Sequence, residues 1–322
     1  MKTEENKQNI FCPRPFIEEK IWGSTELGKL FGVNSHNKIG EIFALSTLKG
    51  KEGEVEGKNL SALVGKLSYL VKWIKTTDNL SIQVHPDDEY ALKNENSSGK
   101  AECWFILDAS DGAGIYLGLR DGVQKSELKK ALEEKREDLS DFLHFFPVKK
   151  GDFFSIPPGA IHAIGKGVFL LEVQQSSGIT YRVWDWNRQD SDGSFRVLHV
   201  DKALDVIRFD EGFNKKDCFK LKSGLFSEEG VIELIRHKDF VVHFCQLQEC
   251  EVLNLKKILK NSKGPIGVVG VSGKWELSIG KRCELVLPYQ SLCLLYENNV
   301  QEEETRLKNR ESGIVLFISS FL

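Results

Sequence analysis

The sequence predicts a mainly β protein, and two observations carry this prediction. Most of the 322 residues fall into short segments rich in β-branched and aromatic residues, interrupted by glycine, proline, aspartate or asparagine. Residues 151–162 read as a strand, a tight turn and a second strand, and residues 273–288 repeat that order. Strands of this number and length favour a closed or double-sheet architecture such as the jelly roll, here present twice.

Short strands succeed one another through the first two-thirds of the chain. They are the segments LVKWIKT, LSIQVHP, ECWFILDA, GIYLGL, DFFSIPPGAIHAI and VFLLEVQQSS. Two interruptions are predicted to be helical. One is residues 59–67, and the other is the longer stretch 125–146, where apolar residues mostly follow helical spacing and charged residues fill the rest. From about residue 236 onward the composition is again typical of strands.

The overall composition excludes several classes of protein. A hydrophobic content of 41% and a charged content of 28% are ordinary for a globular protein, and a formal net charge of -3 offers no basic field for nucleic acid. The first residues lack the apolar core of a signal peptide, and no apolar run approaches the roughly 18–20 residues that span a bilayer. Seven scattered cysteines are then expected to be reduced, and the protein is expected to be cytoplasmic.

Four residues have the chemistry of a metal site. Gln83 and His85 lie two apart in a predicted strand, so their side chains point to the same face. His162 ends the pattern G-x5-P-x-G-x2-H, and Glu102 lies between the two histidines in sequence. Two imidazoles, one carboxylate and one amide oxygen suit a borderline divalent ion such as Zn²⁺, with positions left open for water or substrate.

The same pattern divides the chain into two predicted domains. Residues 1–235 would form the metal-binding domain, with the helical insert around 125–146. Residues 236–322 would form a second copy of the β unit that lacks histidine or glutamate at the equivalent positions and is therefore expected to bind no metal. The remaining histidines are interpreted as ordinary core or surface residues.

These motifs resemble the cupin superfamily and, within it, the type I mannose-6-phosphate isomerases in their short bacterial form. The matching segments are KIWGSTELGKLFG, IGEIFALS, LSIQVHPDDEYA, GKAECWFIL, IPPGAIHAIGKG and LEVQQSSGITYRVWDWNR, which follow the family's order through the first two-thirds of the chain. The resemblance implies two cupin domains, the second degenerate. It also implies an aldose–ketose isomerase that interconverts mannose 6-phosphate and fructose 6-phosphate through a cis-enediol(ate).

The resemblance also implies roles for individual residues. It implies one Zn²⁺ per chain, held by Gln83, His85, Glu102 and His162. Catalytic roles fall to Arg182, Lys100 and Glu172, and substrate contacts to Ser81, Lys100, Arg182 and Trp22. Arg182 and Lys100 are the cations available for the sugar's phosphate. Trp22 is equally compatible with lining the pocket and with packing in the core.

One departure from the family pattern leaves the catalytic base open. Gly178 stands where the family usually has an acidic residue, four positions before Arg182. Glu172, a water at the metal and the surroundings of His85 remain as candidates. Two other functions also stay open: a metal-dependent dioxygenase with the same fold, and a sugar-binding cupin without catalysis. The oligomeric state is not encoded in any of these patterns.

Overall fold

The computed structural model describes residues 10–33, 36–190, 192–255, 262, 264–279, 282–295 and 305–320. The chain forms two compact units. The central unit consists of Ile17–Ile42 and Val71–Ser227, and the terminal unit consists of Met1–Phe16, Phe43–Leu70 and Glu228–Leu322. The terminal unit thus combines the C-terminal third with two early segments, whereas composition alone suggested a single boundary near residue 235. That division into domains stays a prediction.

Strands dominate both units. The first fourteen are β1 (Ile10–Phe11), β2 (Phe16–Ser24), β3 (Ile39–Leu45), β4 (Glu54–Val55), β5 (Lys58–Asn59), β6 (Tyr69–Lys75), β7 (Ile82–Val84), β8 (Glu102–Ala109), β9 (Gly114–Leu119), β10 (Leu143–Pro147), β11 (Phe153–Ile156), β12 (His162–Ile164), β13 (Val168–Gln175) and β14 (Tyr181–Trp184). The next ten are β15 (Lys220–Lys222), β16 (Gly230–Arg236), β17 (Val241–Leu247), β18 (Val252–Asn254), β19 (Ile266–Gly270), β20 (Lys274–Ile279), β21 (Arg282–Val286), β22 (Ser291–Leu294), β23 (Thr305–Glu311) and β24 (Gly313–Ser319).

The helices are short insertions between strands. They are α1 (Thr25–Leu30), α2 (Leu60–Val64), α3 (Asp88–Glu95), α4 (Lys125–Glu133), α5 (Val200–Val206) and α6 (Glu211–Asn214). Among the described residues, no helix has the length and apolar character needed to cross a membrane.

Two facing sheets build the central unit. A seven-stranded sheet has the order β15-β11-β8-β13-β6-β3-β2, and a five-stranded sheet has the order β10-β9-β12-β7-β14. Buried side chains of both sheets, such as Trp104 and Phe154 from one and Ile115 and Leu117 from the other, form one apolar cluster. The mainly β, double-sheet jelly-roll prediction is confirmed, with two open sheets rather than a closed barrel.

The other face of the five-stranded sheet is covered by helices. Val84 and Val183 of this sheet belong to a second buried cluster together with Leu128 of α4 and Leu204 of α5. Side chains alternate between the two faces of a strand. One face of this sheet therefore looks towards the seven-stranded sheet, and the other packs against α4 and α5.

The helix predicted over residues 125–146 is only partly correct. α4 ends at Glu133, a 3₁₀ turn follows at Ser140–Phe142, and β10 begins directly after it. Lys135 has φ +52°, the left-handed conformation typical of a helix C-terminus, and the N–H of Arg136 donates to the carbonyl of Ala131 at 2.9 Å. The final part of the predicted helix is instead a strand because it pairs with β9.

The terminal unit repeats the architecture with a different interior. Its six-stranded sheet has the order β1-β22-β19-β24-β17-β16, and its four-stranded sheet has the order β18-β23-β20-β21. The core cluster joins residues of both sheets, among them Val268, Val315 and Phe317 from the first and Trp275 and Leu307 from the second. The unit is therefore a second sheet pair with an apolar core.

Candidate active site

Three predicted site residues form a row across the five-stranded sheet of the central unit. His162 of β12 lies directly opposite Gln83 of β7, and Gln83 lies opposite Arg182 of β14. Directly opposed residues of antiparallel strands point to the same face. Leu117, the partner of His162 on β9, belongs to the core between the two sheets. The row therefore faces the interior of the unit.

The other sheet contributes the carboxylate. Glu102 begins β8 opposite Ile156, whose side chain also belongs to the core between the sheets. One Glu102 oxygen, Oε1, lies 3.2 Å from His85 Nε2, and the other, Oε2, lies 3.8 Å from His162 Nε2. One ligand atom from each of these three residues lies within 4.8 Å of the other two, and all three are buried. The structure thus brings together the predicted histidines and glutamate, and no other such group occurs among the described residues.

A glycine turn explains the G-x5-P-x-G-x2-H spacing. Gly159 has φ +85°, and a Cβ added there would lie 2.7 Å from the Arg208 side chain and 3.0 Å from the Val206 carbonyl. The N–H of Gly159 donates to the carbonyl of His85 at 2.9 Å. The turn before His162 therefore holds the backbone of the other histidine, which couples the positions of the two imidazoles.

A second close approach places Lys100 and Glu102. A Cβ on Gly99 would lie 2.6 Å from the backbone of Asp87, so the two chain segments can approach only at a glycine. Asp88 accepts a hydrogen bond from the Gly99 N–H at 3.0 Å, and the Lys100 N–H donates to the Pro86 carbonyl at 3.0 Å. The sequences HPDD and GKAE thus form one local unit beside His85.

The histidine nitrogens face the cluster in the form a metal requires. His162 Nδ1 lies 2.9 Å from the Ala160 carbonyl, so this nitrogen carries the proton and Nε2 keeps its lone pair. The Gln83 amide nitrogen lies 3.3 Å from His162 Nε2, and a half-turn of that amide directs its oxygen to the same point. Burial and the charge of Lys100 lower the pKa of His85 to about 3, which keeps that imidazole neutral.

Lys100 supplies a positive charge next to Glu102. Its ammonium lies 2.9 Å from Glu102 Oε1 and 3.3 Å from His85 Nε2. Burial raises the pKa of Glu102, but the charge of the adjacent Lys100 outweighs it, so the pKa falls well below the usual range. The carboxylate is therefore ionised. In the structure Lys100 contacts two of the predicted metal ligands, Glu102 and His85. A contact between Lys100 and the substrate phosphate stays a prediction.

The donor set fits a divalent cation. Glu102 Oε2 and His85 Nδ1 are buried and have no hydrogen-bond partner among the described residues. Buried polar groups without partners are costly, and an ion among the ligands would satisfy the carboxylate. Together with Gln83 and His162, these residues offer two nitrogen and two oxygen donors, a set that Zn²⁺ accepts.

The sequence did not single out Lys72 or Glu41. The Lys72 ammonium is buried on β6, 2.9 Å from Glu172 Oε1 and 3.1 Å from Glu41 Oε1. Burial lowers the pKa of Lys72, but the neighbouring carboxylates outweigh it and raise the pKa above its usual value. The sequence signal that could have identified Lys72 is its place inside the apolar segment LVKWIKT, between residues that are buried in the core.

Glu172 is held by two side chains. Besides the Lys72 contact, its Oε2 accepts a hydrogen bond from Trp104 Nε1 at 3.1 Å. Glu172 lies opposite Trp104 in the register of β13 and β8, two positions from the pair formed by Gln174 and Glu102. Alternation therefore places Glu172 on the same interior face as Glu102. Burial and the charge of Glu102 raise the pKa of Glu172.

Arg182 is half-buried and tied to a following loop. Its Nη1 donates to the Val197 carbonyl at 2.8 Å, and its backbone N–H donates to His199 Nδ1 at 3.1 Å. Its Nε is buried without a partner among the described residues. Burial and the nearby Arg196 lower its pKa from the ordinary arginine value. The unpaired Nε–H is a donor that a substrate oxygen could accept.

The two remaining predicted contacts differ in their surroundings. Ser81 is buried immediately before β7 and, by alternation, lies on the side of Gln83. Trp22 is buried in the core cluster between the sheets together with Trp104 and Ile74. Packing accounts for Trp22, and a substrate contact by either residue stays a prediction.

Comparison with known proteins agrees with this geometry. No protein-family model matches the chain. It is 37% identical over 227 residues to the mannose-6-phosphate isomerase of Streptococcus mutans, an alignment covering 65% of this chain and 71% of that protein. It is 39% identical over 212 residues to a probable mannose-6-phosphate isomerase of Bacillus subtilis, covering 60% of this chain and 66% of that protein.

A solved structure extends the comparison to nearly the whole chain. The crystal structure of a mannose 6-phosphate isomerase from Bacillus subtilis superposes with a TM-score of 0.80 at 26% identity. The match covers 97% of this chain and 99% of that protein. The sheet pairs of both units thus have their counterpart in an isomerase, as the sequence motifs indicated. The chain belongs to the mannose-6-phosphate isomerase family, in its type I, cupin-fold form.

Proposed function

We propose that the protein interconverts mannose 6-phosphate and fructose 6-phosphate, with one Zn²⁺ per chain as its cofactor. The observation that carries the proposal is the buried cluster of His85, Glu102 and His162, with Glu172 and Arg182 on the same interior of the central unit. The buried Glu102 and Glu172 and the partly buried Glu41 lie close to the buried Lys72 and Lys100, so these five groups together carry one net negative charge. A divalent cation reverses that sign.

The ion's contribution is limited to one kind of chemistry. Bound by the four predicted ligands, Zn²⁺ would act as a Lewis acid that orders the two substrate oxygens and does not change redox state. The open-chain sugar carries these oxygens on its first and second carbons. The remaining steps fall to the side chains of the protein.

Proton transfer requires a base that faces the sugar. In the aldose, the base removes the proton from the second carbon, and the electrons of that bond form the carbon–carbon double bond of a cis-enediol(ate). The carbonyl electrons move to O1, and return of the proton to the first carbon, with the O2 hydroxyl proton passing to O1, gives the ketose. Glu172 is the base we propose, because Trp104 and Lys72 fix both of its oxygens inside the unit. A positioned base typically contributes ~10²–10⁴-fold to the rate.

Arg182 is proposed to stabilise negative charge on the substrate. Its buried Nε–H has no partner in the part of the chain that the structure describes, and guanidinium binds phosphate and enediolate oxygens through charge-assisted hydrogen bonds. Its place opposite Gln83 directs it to the same interior as the predicted ligands. Lys100, close to Glu102, is proposed to contact the sugar oxygens or the phosphate.

A coupled assay tests the proposal directly. The purified protein is supplied with mannose 6-phosphate before chelation, after chelation and after Zn²⁺ is returned. Isomerisation that is lost on chelation and restored by Zn²⁺ supports the proposal. Activity that survives complete removal of metal contradicts it, whereas metal binding without turnover favours a sugar-binding protein and turnover only with iron and oxygen favours a dioxygenase.

A further inference from the structure

A cavity lies on the helix-covered side of the five-stranded sheet, away from the metal ligands. Its volume is about 290 Å³, near the lower end of the range typical of small-molecule sites. Trp184, at the end of β14, belongs both to its lining and to the outer core cluster. The apolar part of the wall is formed by α4 and its C-terminal turn, β14 and the segment 195–198, with Leu132, Leu139, Trp184, Phe195 and Leu198.

The polar part of the wall is cationic. Four cations line the cavity, against the single carboxylate of Asp185: Lys135, Arg136, Arg188 and Arg196. Asp185 pairs with Arg188 at 2.9 Å and also with Arg196, and Arg188 pairs in addition with Asp78 at 3.0 Å, so two carboxylates compensate these two arginines. Arg136 has only an exposed pair with Asp141, and Lys135 has no ion pair among the described residues. Lys135, at the α4 end of the cavity, is therefore the lining cation without an ion pair among the described residues, and the neighbouring Arg136 shares its charge with one solvent-screened carboxylate.

The chain segment that contributes Leu198 to the cavity also forms hydrogen bonds to Arg182. Leu198 lines the cavity, and the residues on either side of it, Val197 and His199, make the hydrogen bonds to Arg182. A third bond runs from the His199 N–H to the Arg182 carbonyl at 2.7 Å. Phe195 and Val197 are 64% and 71% exposed, so little packing fixes this segment from outside. A ligand against Leu198 would thus contact the segment that positions Arg182.

We propose that this cavity is an effector site for a small aromatic anion. The ring would pack against Trp184 and Phe195, and the anionic group would lie at Lys135 and Arg136. Aromatic side chains favour a flat ring, and the excess of cations favours a negative charge on the same molecule. Bound there, the anion would change the position of Arg182 and with it the turnover of the proposed isomerase, without occupying the substrate site.

Phenyl phosphate is a suitable probe, with inorganic phosphate and phenol as half-ligands. We would titrate it calorimetrically into the zinc-loaded protein at a saturating concentration of the mannose 6-phosphate and fructose 6-phosphate mixture, so that the substrate site is filled. Arg136→Glu is expected to weaken this binding about tenfold or more, because a charge-assisted contact is replaced by repulsion. Arg208→Glu is the matched control. Arg208 also pairs with a neighbouring aspartate and lies over a phenylalanine ring, but it does not line the cavity.

Three results together support the proposal: binding that persists with the substrate site filled, loss of that binding in Arg136→Glu but not in Arg208→Glu, and a change in kcat on adding phenyl phosphate to the wild type. Displacement of the probe by hexose phosphate, equal binding in the two variants, or an unchanged kcat overturns it. Leu132→Trp, which fills the cavity without changing charge, should also abolish binding. Calorimetry does not require turnover, so failure of the proposed isomerase activity would be seen separately.

Discussion

The two units share a sheet-pair architecture but differ in what their interiors contain. In the terminal unit, Asp239 is the only buried carboxylate, lysine or histidine among the described residues. The described part of the central unit buries eight such groups: Lys72, His85, Lys100, Glu102, Asp152, His162, Glu172 and Asp185. Six of them, all except Asp152 and Asp185, belong to the candidate site.

The difference shows what a function adds to a fold. An apolar core such as that around Trp275 and Phe317 is enough to hold two sheets together. Burying an isolated charge costs several kcal/mol, so a network of six ionisable groups is not a stability device. Among the described residues the network occurs only in the central unit, which agrees with the chemistry proposed for that interior, and the terminal unit can serve as an internal control.

The largest contrast is expected for the histidines. His162→Ala should lose the metal and with it the isomerase activity, with metal affinity falling by at least about 100-fold, the loss that even an outer partner of a ligand can cause. His243→Ala, on β17 of the terminal unit, should keep both, since the ion-pair partner of His243 among the described residues is Glu233, at 3.6 Å. Elemental analysis and the coupled assay measure the two effects. Full zinc in His162→Ala would remove this residue from the site.

Arg182 gives the next largest effect. Arg182→Ala should keep its zinc and lose activity by on the order of 10²-fold if the guanidinium stabilises the transition state. Arg182→Lys should recover little, because an ammonium cannot reproduce the geometry of the fork. Arg310→Ala, which breaks an exposed pair with Glu276 in the terminal unit, should leave kinetics unchanged. A rise in KM with normal kcat would assign Arg182 to uniform phosphate binding, and a normal kcat/KM would make it structural.

Two buried tryptophans offer a matched comparison. Trp104 Nε1 donates to the Glu172 carboxylate at 3.1 Å, whereas Trp275 Nε1 donates to the Ser272 carbonyl at 3.0 Å. Trp→Phe at either position should lower stability by ~1 kcal/mol for the lost hydrogen bond. Only Trp104→Phe should lower kcat as well, by about tenfold, or 1.4 kcal/mol, as Glu172 loses an orienting partner. Equal kcat values in the two variants would argue against Glu172 as the base.

The sequence predicts the parts of this contrast that depend on local pattern. Alternation along a strand places Gln83 and His85 together, and the glycine turn before His162 follows from its spacing. The order of the motifs predicts that His85, Glu102 and His162 converge, and the structure brings their side chains together. These features need few residues to specify them.

Features that depend on contacts between residues far apart in the chain could not be predicted from the sequence. Lys72 lies 100 residues from its partner Glu172, and both faces of β6 are buried, so no alternation marks the lysine. Residues 143–146 have helix-compatible composition, yet pairing with β9 makes them a strand. The membership of Phe43–Leu70 in the terminal unit likewise depends on tertiary packing, which no local sequence pattern encodes.

The smallest expected effect concerns Gly178, which stands where the family usually has an acid. The residue is exposed, in the loop between β13 and β14, whereas Glu172 is buried and doubly held. If buried groups carry the chemistry, Gly178→Asp should change kcat/KM by less than about threefold, since surface substitutions alter free energies by about 0.5 kcal/mol or less. Gly212→Asp, at another exposed glycine with open space around it, controls for the added charge. A tenfold gain confined to Gly178→Asp would show that an acid at this position joins the proton transfer, and that Glu172 does not act alone.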